Sequence, residues 1–88
     1  MFQFTGLKDK NGKEIYDGDI LRFAKIVTPY FGKNKGKQIT VYDYWEVFFM
    51  EQKGEWRTRR NEQIDRLYSK VESHEVIGNI YENADLLK

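Results

Sequence analysis

Three lysines at alternating positions, Lys33, Lys35 and Lys37, follow two adjacent rings, Tyr30 and Phe31, and a second basic cluster comprises Arg57, Arg59 and Arg60. Cations spaced in this way can track the phosphates of a single strand while the rings stack on unpaired bases, provided that the fold brings both clusters to one face. Alternating lysines also keep an exposed loop soluble, and the isoelectric point near 7.9 is below the strongly basic range of dedicated nucleic-acid modules. A further set of rings, Tyr42, Tyr44, Trp45 and Trp56, joins the arginines as residue types enriched at protein-binding hot spots. The first expectation is therefore a non-enzymatic protein-interaction module that binds another protein or a second copy of itself. Single-stranded nucleic acid is the competing partner.

Catalytic chemistry finds little to work with. His74 is the only histidine, and general-base work needs a nucleophile and an orienting carboxylate around it. Glu72, Glu75, Ser69 and Ser73 are near in sequence, but a strand sends adjacent side chains to opposite faces. Asp9, Asn11, Glu14, Asp17 and Asp19 gather oxygen ligands as part of a calcium loop would, yet Lys10 and Lys13 interrupt the series and no bidentate Glu has the required spacing. Turn formation accounts for these residues better. There is no phosphate-binding Gly-x-x-x-x-Gly-Lys run and no nucleophile elbow. No enzyme activity, metal or cofactor is expected.

The 88 residues suit one domain spanning 1–88. A composition of 40% hydrophobic and 33% charged residues excludes a disordered chain. Aromatic residues make up 16% of the chain, and at roughly 150–250 Å² of surface per buried ring they can build a small core. Without cysteine, stability rests on packing, as suits a reducing cytoplasm. The amino terminus lacks a basic region followed by an apolar run, and no apolar stretch approaches about 18 residues, so a chain that is neither exported nor membrane-spanning is expected. Charge is uneven: residues 1–60 hold 12 Lys/Arg against 8 Asp/Glu, and residues 61–88 hold 3 against 6. Such asymmetry can mark a basic partner-binding half.

The elements that must position these groups read as strands. Phe2 and Phe4 alternate with polar residues, Asn11-Gly12 signals a tight turn, and Asp17-Gly18-Asp19 precedes an apolar run from Ile20 to Val27. Residues 28–37 hold the single proline and two glycines and form a loop or hairpin tip. From Gln38 to Met50, Ile39, Val41, Trp45, Val47 and Phe49 fall on one face and Thr40, Tyr42, Tyr44, Phe48 and Met50 on the other, the pattern of a central strand. A turn at Gln52–Gly54 leads into a strand from Glu55 to Arg60. Ile64, Leu67, Tyr68 and Val71 then fall at helical spacing, with Asn61 as a candidate cap. A short helix over 61–71 is expected, although a strand from Ile64 to Tyr68 also fits. A last strand covers His74–Glu82, and Asn83 caps a turn through Leu87. The fold class is mainly β, with α+β as the variant: a small curled antiparallel sheet or SH3-like open barrel with one short helical element.

Two blocks are familiar. Phe4-Thr5-Gly6-Leu7-Lys8-Asp9-Lys10-Asn11-Gly12-Lys13-Glu14-Ile15-Tyr16-Asp17-Gly18-Asp19-Ile20 resembles the amino-terminal signature of the YopX family of phage and prophage proteins. Val76-Ile77-Gly78-Asn79-Ile80-Tyr81-Glu82-Asn83-Ala84-Asp85-Leu86-Leu87 resembles its closing segment, in which a proline often stands at the place of Ala84. The resemblance implies a phage or prophage origin in a bacterial host, with no catalytic set to transfer; the protein partner expected from the rings is then a host or phage protein met in the bacterial cytoplasm. Residue by residue, the two blocks encode a scaffold, with Gly6, Gly12, Gly18 and Gly78 where the backbone turns or is closely approached. The middle, Leu21 to Glu75, carries no such motif and is where a partner is expected to be read.

Overall fold

The computed structural model describes residues 3–87. Seven strands follow in order: β1 (Phe4–Lys8), β2 (Glu14–Tyr16), β3 (Asp19–Val27), β4 (Ile39–Met50), β5 (Glu55–Arg60), β6 (Gln63–Arg66) and β7 (Glu75–Asn79). Two short 3-10 turns, Leu67–Ser69 and Ala84–Leu87, complete the elements. β1 and β2 form their own hairpin, and the others form an antiparallel sheet in the order β6-β5-β4-β3-β7. The strand expected around Phe2 and Phe4 begins at Phe4; Phe2 lies outside the described residues.

β4 is the central strand of the sheet, and its two faces follow the expected alternation. Partners across antiparallel strands share a face. Leu21 with Trp45, Val47 with Thr58, and Leu21 with Val76 therefore line one side. Against this side pack Leu7 and Ile15 of the β1–β2 hairpin and Leu67 and Val71 of the segment that crosses from edge strand β6 to edge strand β7. Ile15, Leu21, Val47 and Leu67 are fully buried. The core is thus a sheet covered on one side by a hairpin and a crossing segment.

The sheet is mainly β, as expected, but it stays open, with β6 and β7 as its edges. The barrel alternative fails because the chain covers the apolar face with a second layer instead of curling the sheet onto itself. The helix expected over 61–71 also fails. Asn61 adopts φ 54°, a left-handed conformation open to Asn, and turns β5 back so that β6 pairs along it, with Arg60 opposite Gln63. Ile64 and Tyr68, half of the presumed helical face, are exposed, while Leu67, Lys70 and His74 are buried. Helical spacing here arises from a strand followed by a crossing turn. Among the described residues no helix is long and apolar enough to cross a membrane.

The two familiar blocks meet in space. Val76 N–H donates to Asp9 Oδ2 at 2.8 Å and Ile80 N–H to the Gly18 carbonyl at 2.9 Å, and just ahead of the closing block the His74 carbonyl accepts Lys10 N–H at 3.2 Å. Gly18 has φ +86°, and a Cβ there would meet the Tyr81 ring at 3.0 Å. Ends far apart in sequence are thereby locked into one frame.

Candidate functional site

β4 is longer than its neighbours' overlap with it. β5 pairs with β4 only from Glu46 onward, and β7 pairs with β3 only as far as Arg22. Beyond those points β3 and β4 continue alone, through Phe23 opposite Asp43, Ala24 opposite Tyr42, Lys25 opposite Val41, Ile26 opposite Thr40 and Val27 opposite Ile39. At roughly 3.3 Å per residue this two-stranded ribbon runs about 13 Å past the sheet before the tip loop begins. The molecule is accordingly elongated, 45 × 27 × 25 Å, with a radius of gyration of 14.5 Å where a compact chain of this length has about 12 Å.

The tip holds Tyr30 and Phe31 at 82% and 88% exposure, together with the exposed side chains of Lys33, Lys35 and Lys37. Gly36 N–H donates to the Pro29 carbonyl and Lys35 N–H to the Gly32 carbonyl, so the loop is closed by its own backbone. From residue 24 to 42 the chain contains four lysines and no acidic residue, and among the described residues none of the three tip lysines forms an ion pair. Asp43 at the root takes Arg60 at 3.0 Å and Lys25 at 3.5 Å. The charge asymmetry of the sequence is therefore concentrated at one end of the long axis.

The other expected site residues do not join this surface. Arg57 pairs with Phe48, nine residues along β4 from Ile39, or about 30 Å from the tip. Successive strand residues alternate, so Arg57 and Arg59 face one side and Arg60 the other. Arg59 donates to Glu46 through Nε at 3.1 Å and NH2 at 2.9 Å and lies 4.4 Å over the Phe48 ring. Arg57 pairs with Glu55, and its Nε is buried without a hydrogen-bond partner. Trp45 belongs to the core and Trp56 packs against it, 5.2 Å from Phe49. Lys70 Nζ sits 3.7 Å from the centre of the Trp45 ring, so this tryptophan already has a cation over it. Tyr42 and Tyr44 lie on the face opposite Trp45, and together with Arg60, Asn61, Leu86 and Leu87 they line a cleft of about 280 Å³.

Asp9, Asn11 and Asp19, whose oxygens resemble part of a calcium loop in the sequence, hold the frame instead, with Arg22, which carries no such signal. Arg22 binds Glu75, which also accepts from Asn11 Nδ2 at 3.3 Å. The Glu75 carboxyl is held below its ordinary range by the Arg22 guanidinium. Burial pushes Asp19 upward, while the Tyr16 N–H that it accepts at 2.8 Å opposes that shift. Asp9 accepts Asn11 and Lys13 N–H on Oδ1 at 2.8 and 2.9 Å, so its oxygens serve the turn rather than a cation. The Asn-Gly turn between two strands was the legible signal for this arrangement.

His74 is 7% exposed, stacked on Phe23 at 5.0 Å, with Nδ1 2.8 Å from the Ser73 hydroxyl. Burial, reinforced by the positive charges of Lys70 and Lys10 and opposed by Asp43, lowers its pKa below the ordinary 6.5. The unfolded chain then binds the proton more readily, so this group's stabilising contribution is complete above pH 6.5 and is lost as pH falls below it. Urea midpoints measured from pH 7.5 to pH 5 are expected to decline in the parent and to decline less in His74→Gln; parallel declines would contradict the assignment.

The family model described as YopX protein matches residues 1–88. No curated protein and no solved structure matches the chain.

Proposed function

This chain belongs to the YopX family, and from that premise we propose that it is a non-catalytic binding protein of phage or prophage origin whose recognition element is the β3–β4 arm and whose ligand is nucleic acid. The supporting observation is the segregation of charge: four lysines and no acid between residues 24 and 42, on a ribbon that projects from the sheet with two exposed rings at its end. Phosphate contacts by lysine supply most non-specific affinity for nucleic acid, and the β ribbon carries the tip loop and its three lysines clear of the rest of the sheet. The expected arginine cluster takes no part in this surface, since Arg57 and Arg59 are paired with Glu55 and Glu46. The test is retention of the protein on immobilised DNA at low salt. Reversing Lys33, Lys35 and Lys37 to Glu is expected to abolish retention while leaving the thermal midpoint unchanged; retention of the variant would count against the proposal.

A second reading, a protein-interaction module that includes self-association, is favoured by a different feature. The outer edges of β3 beyond Arg22 and of β4 before Glu46 carry no neighbouring strand, and Ile26 on the ribbon is 68% exposed. Such edges accept an added strand. Light scattering over a concentration series tests the self-associating form, which a strictly monomeric result removes.

A further inference from the structure

We infer that the arm binds double-helical nucleic acid by entering the major groove, an inference that rests on the nucleic-acid reading above and adds which form is bound. The first argument is shape. A two-stranded ribbon with side chains on both faces is about 10 Å thick, and the major groove, about 12 Å wide, admits such a ribbon whereas the minor groove, about 6 Å wide, does not. The arm carries no third strand past Arg22 and Glu46, and other segments meet it only at its root, where Leu86 and Leu87 lie by Tyr42 and His74 stacks on Phe23.

The second argument is the placement of rings. Single-strand binding uses a groove with aromatic platforms for successive bases. On the arm, Phe23 and Tyr42 lie beside the root, engaged by His74 and Arg22, and the other rings, Tyr30 and Phe31, are adjacent and at the extreme end. These two suit wedging at a base step or stacking on a backbone wall, and they do not form a row along which a strand could run.

The third argument is the distribution of polarity. Phosphates line both walls of the groove, and Lys33, Lys35 and Lys37 cluster at the tip, where they reach those walls, while Ala24, Ile26, Thr40 and, nearest the root, Tyr42 share one face of the ribbon. Beyond Tyr42 that face is small and uncharged, with methyl groups and a hydroxyl, the side-chain types that contact the thymine methyl and base-edge donors and acceptors.

Fluorescence anisotropy with the full chain, using a mixed-sequence duplex of about 20 base pairs and its separate strands, tests this; neutralising three phosphates gives a salt slope of about −2.7. The duplex is expected to bind more tightly than either strand and to lose about 40-fold in affinity from about 50 to 200 mM salt. Binding should vanish in K33E/K35E/K37E and persist in K8E/K10E/K53E, which makes the same charge change on exposed lysines elsewhere. Tighter binding of a single strand, lost in the tip variant, would overturn the groove inference and leave the nucleic-acid reading standing. No binding of either form at low salt, or equal weakening by the two triple variants, would overturn both. Competition by polyglutamate as effective as that by duplex would overturn both in favour of an acidic protein partner.

Discussion

Replacing Asp9 by alanine is expected to lower the unfolding free energy by about 3–4 kcal/mol, because hydrogen bonds to a charged acceptor contribute roughly 1.5–3 kcal/mol each and are not fully additive. The carboxylate is 7% exposed and accepts three backbone N–H groups, those of Asn11, Lys13 and Val76. Two of these bonds close the β1–β2 turn, and the third ties that turn to the edge strand β7. Removal leaves buried donors without partners and frees the hairpin that covers half of the core. A domain of this size has a total stability of roughly 4–13 kcal/mol, so the variant should melt far below the parent, by about 15–25 °C on the usual scaling. Asp9→Asn is expected to lose less, since its single oxygen can keep the turn bonds but meets Val76 with an amide donor.

The same residue carries a pH signature with a defined sign. Burial alone would raise the Asp9 pKa, but the bonds from Val76, Lys13 and Asn11 outweigh it and leave the group below the ordinary 3.8. A depressed carboxyl contributes its full stabilisation above the unfolded-state value and loses it as pH falls from 3.8 through the folded value. The difference in stability between parent and Asp9→Asn should therefore be flat above about pH 5 and shrink below it. Denaturant titrations of both proteins across that range measure it; a difference that grows on acidification would contradict the assignment of Asp9 as the pin.

Gly78→Ala is expected to cost about 2 kcal/mol, within the usual range for forcing a methyl into a packed site. The new Cβ would lie 2.2 Å from Asn83 Oδ1 and 2.8 Å from its Cγ. Asn83 cannot swing away cheaply. Its Oδ1 accepts Asn79 N–H at 3.3 Å, its own N–H donates to the Asn79 carbonyl at 2.8 Å, and its carbonyl accepts Leu86 N–H at 3.0 Å. Nor can Asn79 follow, because its Oδ1 holds the Tyr81 and Glu82 N–H groups. In an Asn83→Ala background the same Gly78→Ala change should cost about 1 kcal/mol less, a coupling that a double-mutant cycle reads directly. Additive costs in that cycle would show that the close approach to Asn83 is not the reason for glycine here.

Much of the scaffold was legible because it is written in local chemistry. The alternation of Ile39 to Met50 announced a strand with two occupied faces, and β4 is central. The Asn11-Gly12 turn, the tip at residues 28–37 and the turn after Gln52 all fall between strands. The crossing segment was not legible, since the spacing of Ile64, Leu67, Tyr68 and Val71 is shared by a helix and by a strand that runs into a turn. The free edge of β5 and the left-handed Asn61 decided between them, and neither shows in periodicity.

Residue type along the chain determined that this protein is a cysteine-free, ring-rich β domain with a basic loop and glycines where the backbone bends. Tertiary structure alone decided which cations are available. Register placed Arg59 opposite Glu46, alternation along β5 set Arg57 on the same side as Glu55, the fold turned Arg60 toward Asp43 and put Lys70 over Trp45, and Lys33, Lys35 and Lys37 were left at the tip of a ribbon that outruns its neighbours. The physical reason is that a charge's partners are set by which side chains the folded backbone brings to the same face, many of them distant in sequence, whereas its chemistry is set by the residue itself.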